Sequence, residues 1–369
     1  MNRITLKILS ITKFRNCNSV DFLFHNDINV LTGLNGAGKT SVLDTIYYIT
    51  NGRSYFSNLD KFLYKDDGDY FRISGKLVFE ENQFDIEVTS SFKKGKKIFL
   101  DEKQMKSISS FYGKFPSFMI APKDIQILVE SSIERRKLMD KTLSQVDRSY
   151  LRHLLDYNKA LKQRNAALKT FQKTGRSDII LLNAINEKMS IPAQYIFDQR
   201  QIFVEKISPI FNRYYSELSD DREKLTISYK SRLFDHTFIE LQDSSLQKDL
   251  ILAKTSEGIH RDDAILRIND FEMKKYASQG QLKSAIISLK LAQIEWVKSM
   301  TGKIPILLLD DIFDKLDNER VKNLIDICVN RLDAQVFISD TDAGRVDEIL
   351  KKLNKDYNHY YIKDGNLEA

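Results

Sequence analysis

The chain opens on three short runs of β character: Ile4-Thr-Leu-Lys-Ile-Leu, Val20-Asp-Phe-Leu-Phe and Ile28-Asn-Val-Leu-Thr. The next segment, Thr40 to Ile49, places Val42, Leu43, Ile46 and Tyr47 at helical spacing. A strand, a Gly-rich loop and a helix therefore follow in that order. Residues 71–100 return to strand character, with Lys93-Lys-Gly-Lys-Lys as a hairpin tip. From about 124 to 215 the period changes. Met139, Leu143, Val146, Tyr150, Leu154, Tyr157 and Leu161 recur at intervals of three and four, as do Leu182, Ile185, Met189, Ala193 and Ile196. The polar turn Lys173-Thr-Gly-Arg-Ser-Asp between them makes a helical hairpin, whose second helix Pro192 is expected to kink or restart. Each stripe lasts only a few heptads, which predicts a short arm rather than a long coiled coil. Beyond about 225, strands and helices alternate again. Ala264–Ile268 reads as a strand and Gln281–Val297 as a helix with Leu282, Ala285, Ile286, Leu289, Ala292 and Trp296 on one face. Ile306–Leu309 is apolar on both faces, as a central parallel strand is. Val321–Leu332 reads as a helix and Gln335–Ser339 as another buried strand. The expected fold class is α/β, with a helical lobe inserted between two halves of a nucleotide-binding sheet.

The loop after the third strand, Gly33-Leu-Asn35-Gly36-Ala-Gly38-Lys39-Thr40-Ser41, matches G-x-x-x-x-G-K-[ST] in the context that motif requires. Its glycines allow successive N–H groups to curl around phosphates, and Lys39 is expected to meet the β- and γ-phosphates of ATP. Thr40 is expected to hold Mg²⁺ through its hydroxyl. Ile306-Leu-Leu-Leu-Asp310-Asp311 has the Walker B form. Consecutive carboxylates at the end of an apolar strand are costly unless they meet a cation. Asp310 is expected to hold Mg²⁺ and Asp311 to orient or activate the attacking water. Ser278-Gln-Gly280-Gln281 opens an amphipathic helix about 30 residues before Walker B and resembles the ABC signature, a phosphate site offered to nucleotide on the opposite subunit. Asp314-Lys-Leu-Asp317 then reads as the D-loop. An ABC-type histidine is absent after the last core strand, where Phe337-Ile-Ser-Asp340-Thr341-Asp342 stands, and a Q-loop is not evident.

Composition narrows the setting. The chain has 369 residues, 42% hydrophobic and 29% charged, which suits about two or three soluble domains. Cys17 and Cys328 are its only cysteines, so no disulfide framework is expected. No secretory pattern or apolar run of about 18 residues appears, so a cytoplasmic protein without a membrane partner is expected. The net charge of +6 is compatible with a polyanion partner. Arg135, Arg136, Arg148, Arg152, Lys159, Lys162, Arg164 and Lys169 along the arm, and Lys93, Lys94, Lys96 and Lys97 at the hairpin, are candidates for phosphate contact or simply solvated faces. His260 and Arg261 either line a functional face or brace a turn through the two following aspartates.

Several segments resemble the RecF family, in order and over nearly the whole chain. They are Leu6-Lys-Ile-Leu-Ser with Phe14-Arg-Asn; Ala121-Pro-Lys-Asp-Ile with Ser131-Ser-Ile-Glu-Arg-Arg-Lys-Leu-Met-Asp140; Tyr157-Asn-Lys-Ala-Leu-Lys-Gln-Arg-Asn; Thr255-Ser-Glu-Gly-Ile-His-Arg-Asp-Asp263; and Leu307-Leu-Leu-Asp-Asp-Ile-Phe-Asp-Lys-Leu-Asp. Ile259 stands where that family usually has Pro. The resemblance implies an ABC-type ATPase head with a mixed sheet and P-loop plus an inserted α-helical lobe. Its expected parts are residues 1–120 and 221–369 for the two ATPase halves and 121–220 for the arm. It implies an ATP-dependent DNA-binding protein of recombinational gap repair. Such a protein binds double-stranded DNA and ss/dsDNA junctions as an ATP-dependent homodimer and helps load RecA with RecO and RecR. A weak DNA-dependent ATPase activity resets it. The alternative is an ATP-binding DNA clamp without significant turnover.

Overall fold

The structure is a computed structural model that describes residues 2–65, 68–219, 223–312 and 318–368. In chain order its elements begin with β1 (Thr5–Phe14), β2 (Cys17–Leu23), β3 (Ile28–Thr32), α1 (Lys39–Asn51), β4 (Tyr70–Phe79), β5 (Asn82–Ser91), β6 (Gly95–Leu100), β7 (Lys103–Gln104), α2 (Ile108–Phe111) and β8 (Ser117–Ile120). There follow α3 (Gln126–Val129), α4 (Ser132–Val146), α5 (Arg148–Thr174), α6 (Ile179–Leu218), β9 (Leu225–Lys230), α7 (Phe238–Leu252), β10 (Asp263–Ile268), β11 (Phe271–Glu272) and α8 (Met273–Tyr276). Last come α9 (Gln279–Thr301), β12 (Ile306–Asp310), α10 (Asn318–Asp326), β13 (Val336–Asp340), α11 (Ala343–Lys352), β14 (Tyr357–Lys363) and β15 (Asn366–Glu368). The chain divides into two compact units, residues 1–124 with 283–369, and residues 125–282.

The first unit holds two sheets. One has the order β15-β14-β3-β13-β12-β8, with every pairing parallel except that of β15. β3, β8, β12 and β13 are buried at every position, which is why apolar residues dominate them and why β12 reads as an unbroken apolar run up to Asp310. The other is antiparallel, β2-β1-β4-β5-β6-β7, and its strands alternate in burial as a sheet with one covered face does. α1 packs against strands of both sheets, and every residue in it except Thr40 is buried.

The second unit is built on the hairpin of α5 and α6. Gly175, with φ +68°, ends α5, and the Asp178 side chain accepts from Leu181 N–H to start α6. α6 does not restart at Pro192. It runs unbroken through both Pro192 and Pro209. A proline inside a helix costs about 3 kcal/mol. Here Met189, Pro192, Ala193 and Ile196 are all buried, and that packing holds the helix together across the missing hydrogen bond. Residues 223–282, assigned by sequence to the C-terminal ATPase half, pack in this second unit. β9 pairs with β10 and lies on α6, with Ile227 N–H donating to Ser208 Oγ at 3.1 Å, so the three-stranded sheet is bound to the hairpin.

Buried arginines tie the second unit together. Arg164 and Asp249 are fully buried and paired at 2.6 Å, joining α5 to α7, while Arg164 Nε donates to Asn186 Oδ1 of α6 at 2.8 Å. Removing one member of such a pair leaves a charge buried alone. Arg164→Leu is expected to destabilise the protein by about 3–5 kcal/mol, read as a lower urea midpoint for the loss of helical circular dichroism.

Candidate nucleotide site

β3 delivers the chain to a loop that only glycine can complete at two positions. Gly33 has φ +144°, and a β-carbon there would lie 2.1 Å from the Ile362 carbonyl oxygen. Gly38 has φ +114°, and a β-carbon there would come within 2.8 Å of the Asn16 amide. The β14–β15 turn supports the loop from behind, with Gly365 N–H donating to Ala37 O at 2.8 Å. Lys39 is buried and donates to Gly33 O at 2.7 Å and Leu34 O at 3.0 Å. Burial lowers its pKa, and Asp311, Asp310 and Asp340 oppose that shift.

The ends of three elements converge on Asp310. Thr40 Oγ1 donates to Asp310 Oδ1 at 2.9 Å and Ser339 Oγ donates to the same oxygen at 2.8 Å. Asp311 follows at φ +50°, and its N–H donates to Ser339 Oγ at 3.0 Å. Burial raises the Asp310 pKa. The Ser339 and Thr40 hydroxyls lower it, Asp311 raises it further and Lys39 lowers it. A hydroxyl and a carboxylate side by side form a hard oxygen donor set. This fits Mg²⁺, which keeps several waters and completes its shell with substrate phosphates. Asn35, Gly36, Gly38, Lys39, Thr40, Ser41 and Asp311 line one cavity of about 160 Å³ together with Asn16 and Ser339.

Asn16 was not picked out from sequence as a site residue, and Ser339 only as one of the polar residues of the stretch where an ABC-type histidine would stand. Asn16 Nδ2 donates to Gly36 O at 3.3 Å. Its only sequence signal is membership of the Phe14-Arg15-Asn16 turn. Arg15 anchors that turn by pairing at 2.9 Å with Asp44, a fully buried carboxylate of α1. The segment beyond β8, which pairs in parallel with β12, begins at Ala121. There Asp124 accepts from Ala121 N–H at 2.8 Å and pairs with Lys290 at 3.4 Å.

The signature residues belong to the second unit. Ser278 and Gln281 cap α9 reciprocally: Gln281 N–H donates to Ser278 Oγ at 3.3 Å, and Ser278 N–H donates to Gln281 Oε1 at 2.5 Å. Gln281 Nε2 also donates to Glu223. Ser278 and Gly280 are exposed. Asp317, with the rest of the D-loop, lies outside the described residues.

His260 and the aspartates after it brace the second unit. His260 Nδ1 and Tyr157 Oη are 2.8 Å apart, and burial pushes the imidazole pKa down to about 4. Asp262 pairs with the buried Arg200 at 3.3 Å, and Asp263 takes a two-pronged bond from Arg135 at 2.7 and 2.9 Å. Arg261 is exposed and donates to Thr255 O at 3.3 Å. Three of the arm's candidate phosphate contacts are thereby bound inside the unit: Arg135 to Asp263, Arg164 to Asp249, and Arg136 to Ser132 at 2.7 Å. At the β5–β6 hairpin, Lys96 pairs with Asp60 at 3.0 Å.

The family described as the RecF/RecN/SMC N terminal domain matches residues 5–359. The DNA replication and repair protein RecF of Flavobacterium johnsoniae is 39% identical over 354 residues, spanning 95% of this chain and 98% of the relative. Its counterpart in Cytophaga hutchinsonii is 37% identical over 98% of this chain and 95% of the relative. Among solved structures, the recombination mediator protein RecF-ATP of the RecFOR pathway aligns with a TM-score of 0.89 at 29% identity, covering 100% of this chain and 98% of that one. The Smc head domain of Pyrococcus furiosus, at 14% identity and a TM-score of 0.57, covering 99% of this chain and 95% of that one, shares the fold. The architecture is that of an ABC/SMC-type ATPase head.

The raised Asp310 pKa sets a sign. In metal-free protein the native state binds this proton more tightly than the unfolded chain, so stability is gained as pH falls through the folded pKa and is reduced above it. Asp310→Asn is therefore expected to raise the thermal midpoint at pH 7.5 in chelator, with a gain that shrinks on acidification. The same variant is expected to lose the Mg²⁺-dependent part of any nucleotide-induced shift. Differential scanning fluorimetry across pH checks both.

Proposed function

The chain belongs to the RecF family, and on that premise we propose that it is an ATP-gated DNA-binding protein of recombinational repair. The observation that carries this reading is the convergence of the P-loop and Walker B strand, where Thr40 and Asp310 meet at 2.9 Å beside Lys39. Gly33, Asn35, Gly36, Gly38 and Ser41 form the cradle that receives the phosphates of ATP. Lys39 supplies the cation, and Thr40 with Asp310 would hold Mg²⁺, which neutralises phosphate charge when bound. Asp311 orients or activates the attacking water.

Ser278, Gly280 and Gln281 address the nucleotide of a second copy. The motif is exposed at the start of a 23-residue helix, whose N-terminus favours an anion. Two nucleotides seated in this way bias the closed dimer, and Asp317 would line its seam. The partners are double-stranded DNA and ss/dsDNA junctions, RecR with RecO, and indirectly RecA. Support for them comes from the relatives, one of which is described as a recombination mediator of the RecFOR pathway. Weak, DNA-dependent turnover would then reset the complex.

Sedimentation with and without ATP and DNA tests the reading. ATP is expected to drive dimerisation and DNA binding by the native protein, and Lys39→Met and Ser278→Arg are each expected to abolish the dimer. Equal DNA binding by monomers in every case would end the ATP-gated reading. Asp311→Asn is expected to keep the ATP-bound dimer while lowering turnover by about 100-fold or more, measured as phosphate release. Unchanged turnover would remove Asp311 from its role.

A further inference from the structure

α5 carries its charge in an unusual distribution. Tyr150, Tyr157, Ala160, Arg164 and Leu168 are buried on one side. Arg148, Arg152, Lys159, Lys162, Lys169 and Lys173 are all exposed. At 3.6 residues per turn these six cations fall within one stripe about 100° wide, opposite the buried face, and they extend over about 38 Å. They form three pairs whose centres are about 16 Å apart along the helix. None of the six makes a hydrogen bond or ion pair among the described residues. The sole acid of α5, Asp156, lies outside the stripe. On other helices, exposed cations sit beside acids, as in Lys137–Glu134 at 2.6 Å, Lys275–Glu272 at 3.4 Å and Lys351–Asp347 at 2.5 Å. A merely solvated helix face looks like those pairs.

We propose that the exposed stripe of α5 is a track for the phosphate backbone of duplex DNA. This rests on the functional reading above and assigns a surface to it. A straight, acid-free row of cations is complementary to a stiff rod carrying one negative charge per ~1.7 Å of its axis, and the row is about as long as one duplex turn. The stripe has no aromatic side chain on which unpaired bases would stack, which favours duplex over single strand. Lysine and arginine without amide side chains among them suit backbone contact, so binding is independent of sequence.

The test uses the full chain with ATP, a fluorescent duplex of about 30 base pairs and a salt titration. Lys159→Gln/Lys162→Gln and Arg148→Gln/Arg152→Gln are compared with the native protein and with Lys351→Gln/Lys352→Gln, which removes two exposed cations from α11. Each α5 variant is expected to keep ATP-dependent dimerisation. Each is expected to bind duplex about tenfold more weakly near 100 mM salt and to lower the log–log salt slope by about 2. The control is expected to behave as native. Native affinity and slope in both α5 variants would overturn the track while leaving the functional reading intact. So would a loss of binding confined to polyglutamate, which would assign the stripe to an acidic protein. Failure of the native protein to bind duplex with ATP would end both.

Discussion

Everything at the nucleotide site depends on α1 being buried from all sides between two sheets. A helix in that position cannot present its polar residues to water, so each must find a partner inside, at a cost of a few kcal/mol where it does not. Asp44 is met by Arg15 at 2.9 Å, by the Tyr55 N–H at 2.7 Å and by Ser54 Oγ at 2.6 Å. At the other end, Thr50 and Asn51 share Ser117 at 2.6 and 2.7 Å. These contacts bind the β1–β2 turn and the start of β8 to the helix that follows the P-loop. The same turn supplies Asn16, which reaches the loop itself.

The carboxylate end of the sheet follows from that anchorage. Thr40, Asp310 and Ser339 come from a helix and two neighbouring parallel strands and meet on one oxygen. Burial raises the Asp310 pKa, and the two hydroxyls that donate to it work against that shift. Beside β12, the segment after β8 carries a second buried charge. Asp124 pairs with Lys290 in the middle of α9, and Tyr55 donates to Asp124 while accepting from Lys290 at 2.9 Å. Buried ion pairs of this kind fix geometry more than they add stability. This one fixes the segment leaving the sheet against α9, the helix whose first turn is the signature.

In the second unit, helix position divides the cations of the arm. Arg164 and Lys162 are two residues apart on α5, yet Arg164 is fully buried against Asp249 and Lys162 faces solvent. Arg135 and Arg136 are adjacent and both turn inward to the Asp262–Asp263 strand start. The outward cations are left with no internal task.

The sequence by itself determined the elements with strong periodicity or obligate chemistry. β12 and β13 were legible because burial on both faces favours apolar runs, whereas β8 and β14 of the same sheet were not read from sequence; the α5–α6 hairpin was legible because its stripes are separated by a polar turn ending in the Asp178 cap. The P-loop was legible because the positive φ of Gly33 and Gly38 admits little else. Tertiary structure alone decided the rest, because the partners lie far apart in the chain. Pro192 stays inside a continuous helix because its neighbours are buried, which a local rule does not register. Residues 223–282 join the second unit because β9 bonds to α6 as well as to β10. Asn16 and Lys290 have no local signature, and each owes its position to a contact made across tens to hundreds of residues. The same limit explains why the sequence reading inclined to a functional face for His260, whereas its bond to Tyr157, 103 residues away, places it among the braces of the second unit.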